Sequence, residues 1–181
     1  MIAPRAVLIG PPGSGKSTVA TRLADLWSVA ARDTDADVVR ADGREIAEIF
    51  VESGESEFRR IERQIVRDAL ASHTGVLALG GGAVLDAETQ AELRDYAARG
   101  GVVVFLNVGA ATAARRVGLA RSRPLLAGNP RAAWRRLMEE RRGIYESLAT
   151  IIVDADGLSP RDAATRIAEV VGAATSRGSV P

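Results

Sequence analysis

The chain has 181 residues, of which 46% are hydrophobic and 26% are charged, as expected for one globular domain. Its 24 Lys and Arg side chains oppose 23 Asp and Glu side chains, so the net charge of +1 gives no reason to expect a nucleic-acid or membrane partner. The absence of cysteine and the single histidine, His73, exclude disulfides, thiolate metal sites and His-rich metal sites.

The N-terminal apolar run is interrupted by Pro4 and Arg5 and is too short for a signal peptide. No stretch approaches the ~20 apolar residues of a membrane span. We therefore expect a cytoplasmic protein with a single domain over residues 1–172. The small and polar residues 173–181 are expected to form a flexible tail.

Short apolar segments alternate with segments of helical periodicity. This pattern predicts an α/β fold, a single three-layer α/β/α domain around a parallel sheet. The predicted strands are Ala6–Gly10, a weaker Ser28–Asp35, Val76–Gly80, Val102–Val108 and Thr150–Ala155. Apolar residues from Phe58 to Leu70 form one helical stripe, and Asp86 is the predicted N-cap of a helix over Ala87–Ala98. Ser159 and Pro160 begin a last helix that is predicted to end at Val171.

A glycine-rich segment, GPPGSGKS at Gly10–Ser17, follows the first predicted strand and precedes a helix. It fits the phosphate-binding pattern G-x-x-x-x-G-K-[ST], in which backbone N–H groups and the helix N-terminus surround phosphate oxygens. Lys16, the only lysine of the chain, supplies a compact charge to the β- and γ-phosphates, and the Ser17 hydroxyl can bind Mg²⁺. The alternative is a glycine-rich turn with a surface lysine.

Two carboxylates, Asp33 and Asp35, stand where the second strand is predicted to end. Ligands of open parallel sheets collect at the carboxyl ends of strands, and residues two apart on a strand project to the same side. One carboxylate could therefore face a metal ion while the other contacts a substrate hydroxyl. The alternative is an Asx-type turn that leads into the next helix.

Two further features belong to this acceptor side. Arg59 and Glu62 lie three residues apart on a predicted helix and face the same way, which is also the spacing of an ordinary surface ion pair. Three glycines, Gly80, Gly81 and Gly82, follow the third strand and leave room for a small ligand, although a flexible turn would have the same composition.

Taken together, these motifs resemble those of shikimate kinases, small P-loop enzymes of the nucleoside-monophosphate-kinase-like type. The matching segments occur in the family's order and cover most of Val7–Val153: GPPGSGKST, the run from Asp33 to Glu62, LALGGGAV, RPLL and ERRGIYESLA. The resemblance implies the strand order 2-3-1-4-5, a substrate-binding region at about 33–62 and a mobile lid at about 118–130. It also implies a monomer that uses ATP and Mg²⁺ to phosphorylate the 3-hydroxyl of shikimate, in the chorismate pathway of aromatic amino acid biosynthesis.

The resemblance also implies a role for each matched residue. The nucleotide would be bound by Gly13, Ser14, Gly15, Lys16, Ser17, Thr18, Arg116, Arg123 and Pro160. Shikimate would be bound by Asp35, Phe50, Phe58, Arg59, Glu62, Gly80, Gly81, Gly82 and Arg141. The catalytic residues would be Lys16, Asp35 as the base and Arg123 on the lid, and Mg²⁺ would be held by Ser17 and, through water, by Asp33.

The chain departs from the family's pattern at two places. Gly143-Ile144 replaces the usual Pro-Leu, so that Arg141, rather than its neighbour Arg142, is chosen by counting back from Tyr145. Leu158 stands where the family often has an arginine, which leaves the purine to the backbone of Ser159 and Pro160.

Each of three alternative functions accounts for these motifs less well. A gluconate or nucleotide kinase would share the size and the phosphate loop but lacks the combination of DTD, FRRxE and three glycines. A nucleotide-binding module without catalysis would act through a partner, yet the residues needed for transfer are all present. RNA could bind to the arginine-rich Arg115–Pro124, but a lid that meets ATP explains the same charge.

Overall fold

The computed structural model describes residues 4–118 and 130–177. Its five strands form one parallel sheet in the order β2-β3-β1-β4-β5. The strands are β1 (Ala6–Ile9), β2 (Ala31–Asp33), β3 (Val76–Ala78), β4 (Val103–Asn107) and β5 (Ile151–Asp154). The predicted fold class and strand order are therefore confirmed.

Helices cover both faces of this sheet, as the apolar composition of its inner strands requires. The helices are α1 (Lys16–Trp27), α2 (Thr34–Asp42), α3 (Ile46–Glu52), α4 (Gly54–Ser72), α5 (Ala87–Ala98), α6 (Ala110–Gly118), α7 (Pro130–Leu148) and α8 (Pro160–Arg177). A short 3₁₀ turn spans Ala83–Leu85. The predicted N-cap of α5 is confirmed, because the Asp86 carboxylate accepts a hydrogen bond from the Thr89 N–H at 2.9 Å. Among the described residues, no helix has the length and apolar character needed to cross a membrane.

The second strand is shorter than predicted, because a helix begins inside the expected range. The Asp33 side chain accepts hydrogen bonds from the N–H groups of Asp35 and Ala36 and so caps α2, which starts at Thr34. Asp35 therefore lies in the first helical turn, and our reasoning from the alternation of side chains along a strand was wrong for it. The Asx-type turn that we considered as the alternative is present.

The last helix is longer than predicted. It continues past Val171 to Arg177, so residues 173–177 of the expected tail are helical. Val171 packs against the main core, and Ala173 and Ala174, which follow Gly172, are strong helix formers. Residues 119–129, which include most of the predicted lid, lie outside the described part of the chain.

A second hydrophobic cluster lies apart from the main core and holds α2, α3 and α4 together. Its buried members are Val38, Ile49, Phe58 and Ile65. The C-terminal half of α4 packs instead into the main core, through Val66 and Ala69. Helix α4 therefore joins the two clusters, and this arrangement fixes the face on which Arg59 and Glu62 lie.

Candidate active site

The phosphate loop connects β1 to α1 and encloses its lysine. Lys16 is 9% exposed, and its Nζ donates hydrogen bonds to the carbonyls of Gly10 at 2.9 Å and Pro11 at 3.1 Å. Gly15 caps α1 with φ +90°, a left-handed conformation that glycine adopts without strain. Ser17 and Thr18 are exposed in the first turn of α1, where helical N–H groups lack partners within the helix. This arrangement of an ammonium, glycine and a helix N-terminus suits phosphate oxygens.

The three glycines after β3 lie beside Asp35, Arg59 and Glu62. A Cβ atom on Gly80 would collide with Asp35 Oδ1 and would lie 2.7 Å from Glu62 Oε1. A Cβ atom on Gly82 would lie 2.6 Å from both terminal nitrogens of Arg59. The structure therefore brings the predicted carboxylate, the predicted ion pair and the glycines into one cluster, in which Gly81 and Gly82 form a turn.

The middle glycine joins this cluster to the phosphate loop. A Cβ atom on Gly81 would lie 3.0 Å from Pro12 Cδ and 3.1 Å from Pro12 N. The phosphate loop thus lies next to the cluster of Asp35, Arg59 and Glu62, and Pro12 and Gly81 are the residues that meet there. A group held beside Asp35 would be close to a phosphate chain held by the loop.

In the Arg59–Glu62 pair Glu62 is buried and Arg59 is partly buried, so the alternative of a solvated surface ion pair is wrong. Arg59 Nη1 donates to Glu62 Oε2 at 2.5 Å, and the Glu62 side chain is 3% exposed. Burial raises the pKa of Glu62 to about 7, although the adjacent Arg59 guanidinium acts in the opposite direction. The nearby Asp35 carboxylate also favours the protonated form of Glu62.

The two adjacent arginines of α7 have different surroundings, because Arg141 is buried and Arg142 is exposed. Arg141 is 8% exposed, and its Nη1 donates to the Gly81 carbonyl at 3.2 Å. Its buried Nε has no hydrogen-bond partner among the described residues. Arg142 is exposed and pairs with Glu146 at 3.5 Å. Of the two, Arg141 is therefore the arginine that contacts the glycine segment after β3.

The two predicted aromatic residues are neighbours in the second hydrophobic cluster. The ring centroids of Phe50 and Phe58 are 4.6 Å apart, and the Arg59 guanidinium carbon lies 5.1 Å from the Phe58 ring. Phe58 is buried, whereas Phe50 is only partly buried.

A second cleft opens beside the phosphate loop, towards α6 and the turn that precedes α8. It is lined in part by Thr18, Arg116, Leu158, Ser159 and Pro160. Arg116 Nη1 donates to the Ser14 carbonyl at 2.8 Å and so attaches α6 to the loop. Arg123 lies outside the described residues.

Sequence reasoning missed three polar groups that fix the backbone of this site. The Gly80 N–H donates to Thr34 Oγ1 at 2.9 Å, the Tyr145 hydroxyl donates to the Gly81 carbonyl at 2.6 Å, and Trp134 Nε1 donates to the Pro12 carbonyl at 3.1 Å. Burial raises the pKa of Tyr145 to about 12, so its hydroxyl keeps the proton that it donates.

No three His, Cys, Asp or Glu side chains cluster as a metal site within residues 4–118 and 130–177. Mg²⁺ often takes only one or two protein ligands beside substrate phosphates and water, so a site with the exposed Ser17 as a ligand remains compatible with it.

The burial of Glu62 leads to a prediction about stability and pH. With a pKa of about 7 in the folded state against 4.5 for a free glutamate, the folded protein holds a proton that the unfolded chain releases between these values. This group therefore lowers the free energy of unfolding as the pH rises from about 4.5 to 7. The free energy of unfolding can be measured with denaturant at pH 5 and at pH 8. Its decrease between these pH values should be about 2 kcal/mol smaller for Glu62→Gln than for the wild type. An identical pH dependence of the two proteins would contradict the raised pKa.

Three comparisons with known proteins identify the family of the chain. The family model for shikimate kinase matches residues 12–172. Shikimate kinases of Streptomyces coelicolor and Streptomyces avermitilis are 54% and 50% identical to the chain, over 90% and 94% of it and 92% and 97% of their own lengths. The structure of a shikimate kinase from Acinetobacter baumannii in complex with shikimate superposes with a TM-score of 0.89 at 30% identity, covering 96% of this chain and 94% of that one. The chain thus belongs to the shikimate kinase family.

Proposed function

We propose that the chain transfers the γ-phosphoryl group of ATP to the 3-hydroxyl of shikimate, yielding shikimate 3-phosphate and ADP for chorismate and aromatic amino acid biosynthesis. The observation that carries this proposal is the contact between Pro12 of the phosphate loop and Gly81 of the acceptor cluster. It brings a carboxylate and two inward-facing arginines next to a phosphate-binding loop. We further propose that the enzyme acts as a cytoplasmic monomer.

The acceptor is a carboxylate that carries hydroxyl groups, and the cluster offers a complement to each. Arg59 and Arg141 bind the carboxylate, a charge-assisted pairing to which guanidinium geometry is suited. The buried Arg141 Nε, which lacks a partner among the described residues, supports this role. Glu62 orients Arg59 through its ion pair, and Asp35 accepts a hydrogen bond from the reacting hydroxyl as the base.

The rest of the acceptor site is backbone and aromatic surface. Gly80, Gly81 and Gly82 carry no side chain, and this lets Asp35, Pro12 and Arg59 approach their backbone closely. Phe50 and Phe58 form the wall beside Arg59, with Phe50 the more exposed of the two rings.

The donor lies along the phosphate loop. The backbone from Gly13 to Thr18 surrounds the phosphates, and Lys16 leaves the loop carbonyls to bind the β- and γ-oxygens. Arg116 and Pro160 line the adjacent cleft, into which the purine fits. Arg123 neutralises the transferring phosphoryl group from the lid. Mg²⁺, held by Ser17 and through water by Asp33, supplies further positive charge when bound.

Phosphoryl transfer asks a protein mainly for alignment and for neutralisation of charge. The transition state is loose, so Asp35 contributes more by holding the hydroxyl in line than by removing its proton early. A closed lid would exclude water and limit hydrolysis of ATP.

The test is ADP production with ATP and Mg²⁺, measured with shikimate, with gluconate and with nucleoside monophosphates. Of these acceptors, we expect only shikimate to be turned over. ³¹P and ¹H NMR of the product should locate the new phosphate on the 3-oxygen. Turnover with another acceptor of the panel, or a phosphate on another hydroxyl, would overturn the proposal.

A further inference from the structure

One contact joins the donor side of the site to the acceptor side. Pro12 belongs to the phosphate loop and approaches Gly81 so closely that a Cβ atom on Gly81 would lie 3.0 Å from Pro12 Cδ and 3.1 Å from Pro12 N. Gly81 lies between Gly80, which approaches Asp35, and Gly82, which approaches Arg59. A displacement of Pro12 would therefore change the distance between the two substrates of the proposed reaction.

Both partners of this contact are held by side chains of one helix. Trp134 of α7 donates from Nε1 to the Pro12 carbonyl, and Tyr145 of α7 donates from its hydroxyl to the Gly81 carbonyl. These two residues lie eleven positions apart, about three turns, and therefore on the same face of the helix. Tyr145 is itself fixed, because it is fully buried and its ring stacks on Phe105 of β4 at 5.1 Å.

The indole of Trp134 holds the phosphate loop at Pro12. The carbonyls of Gly10 and Pro11 accept hydrogen bonds from Lys16, which the nucleotide draws away in the proposed function. The Pro12 carbonyl is directed the other way, into a buried contact with Trp134, which is 3% exposed. A buried carbonyl that loses its donor is costly, so the loop would move to recover one.

We propose that Trp134 is a positioning residue for phosphoryl transfer. Its indole N–H fixes Pro12 against Gly81 and so sets the separation between the γ-phosphate and the acceptor hydroxyl. This inference rests on the proposed function, but it concerns a residue to which that function assigns no contact with either substrate. Small misplacements of reacting groups lower the rate of the chemical step more than they lower affinity.

The test compares Trp134→Phe with Trp27→Phe, the same substitution at the other tryptophan. Trp27 ends α1, where its ring contacts Arg5. For Trp134→Phe we expect kcat with shikimate to fall about tenfold while the Kd of shikimate, measured by calorimetry, changes less than about twofold. Trp27→Phe should keep both quantities at the wild-type values.

A second variant separates the hydrogen bond from the volume of the ring. Incorporation of 3-benzothienylalanine at position 134 replaces the indole N–H by sulfur and preserves the bicyclic shape, so it remains informative if Trp134→Phe does not fold. We expect the same loss of kcat with a Tm close to that of the wild type.

A wild-type kcat in the benzothienyl variant, or a loss confined to the affinity for shikimate, would overturn the role of Trp134 while leaving the proposed function intact. Failure of the wild-type protein itself to phosphorylate shikimate would instead remove the proposed function.

Discussion

Lys16→Ala is expected to lower kcat at least about 10³-fold, because it removes the only side-chain cation of the phosphate loop. The fold should persist, since the loop keeps its Ser14 N–H to Pro11 carbonyl bond at 3.2 Å and its attachment to Trp134. Steady-state ADP release with saturating shikimate measures the loss, and circular dichroism checks the fold.

Lys16→Arg is the matched control for this result. It keeps the charge but replaces a compact ammonium by a planar guanidinium that is bulkier and prefers bidentate partners. We expect it to be nearly as inactive as Lys16→Ala, which would show that shape as well as charge matters in this loop. Near-normal turnover of Lys16→Ala would remove the loop from the mechanism.

Gly80→Ala should lower kcat/KM for shikimate at least about 100-fold. The new methyl group would occupy the space of Asp35 Oδ1 and would lie 2.7 Å from Glu62 Oε1, so both carboxylates must move. Movement of Glu62 also disturbs Arg59, its ion-pair partner, and the binding of the substrate carboxylate weakens with it. The binding of ADP, measured by calorimetry, should change little, because the phosphate loop is not touched.

The control for Gly80→Ala is Gly143→Ala. Gly143 lies in α7 and is exposed, and an added Cβ atom would meet nothing within 4 Å. Alanine should raise the free energy of unfolding by up to about 1 kcal/mol and leave kcat/KM unchanged. If Gly80→Ala is as active as Gly143→Ala, the close approach of Asp35 to Gly80 has no role in the reaction.

The parts of the fold that could be predicted are those with a local signal. Apolar runs predicted five strands, and the glycine-rich motif before α1 predicted the phosphate loop. The errors arose at element ends, where competing hydrogen bonds decide. The Asp33 carboxylate accepts hydrogen bonds from the next N–H groups, so that the strand ends at Asp33, two residues before our predicted end, and a helix begins at Thr34.

The polar groups that fix the site backbone could not be predicted, because each bridges residues that are distant in the chain. Trp134 reaches Pro12 across 122 positions, and Tyr145 reaches Gly81 across 64. An aromatic residue in a helical stripe is expected in a core, and both are buried there; only the three-dimensional structure shows what their polar atoms contact. The orientations of Arg141 and Arg142 likewise depend on how α7 is rotated about its axis.

The second hydrophobic cluster has a consequence for how acceptor preference can evolve. Val38, Ile49, Phe58 and Ile65 form a small core of their own beside the sheet. Substitutions among them would tilt Arg59 and Glu62 of α4, which we propose bind the acceptor, whereas the strands beneath the phosphate loop would keep their packing. Natural variation or protein engineering could thus change the acceptor preference of this kinase to other hydroxy acids without altering the loop proposed to bind the nucleotide.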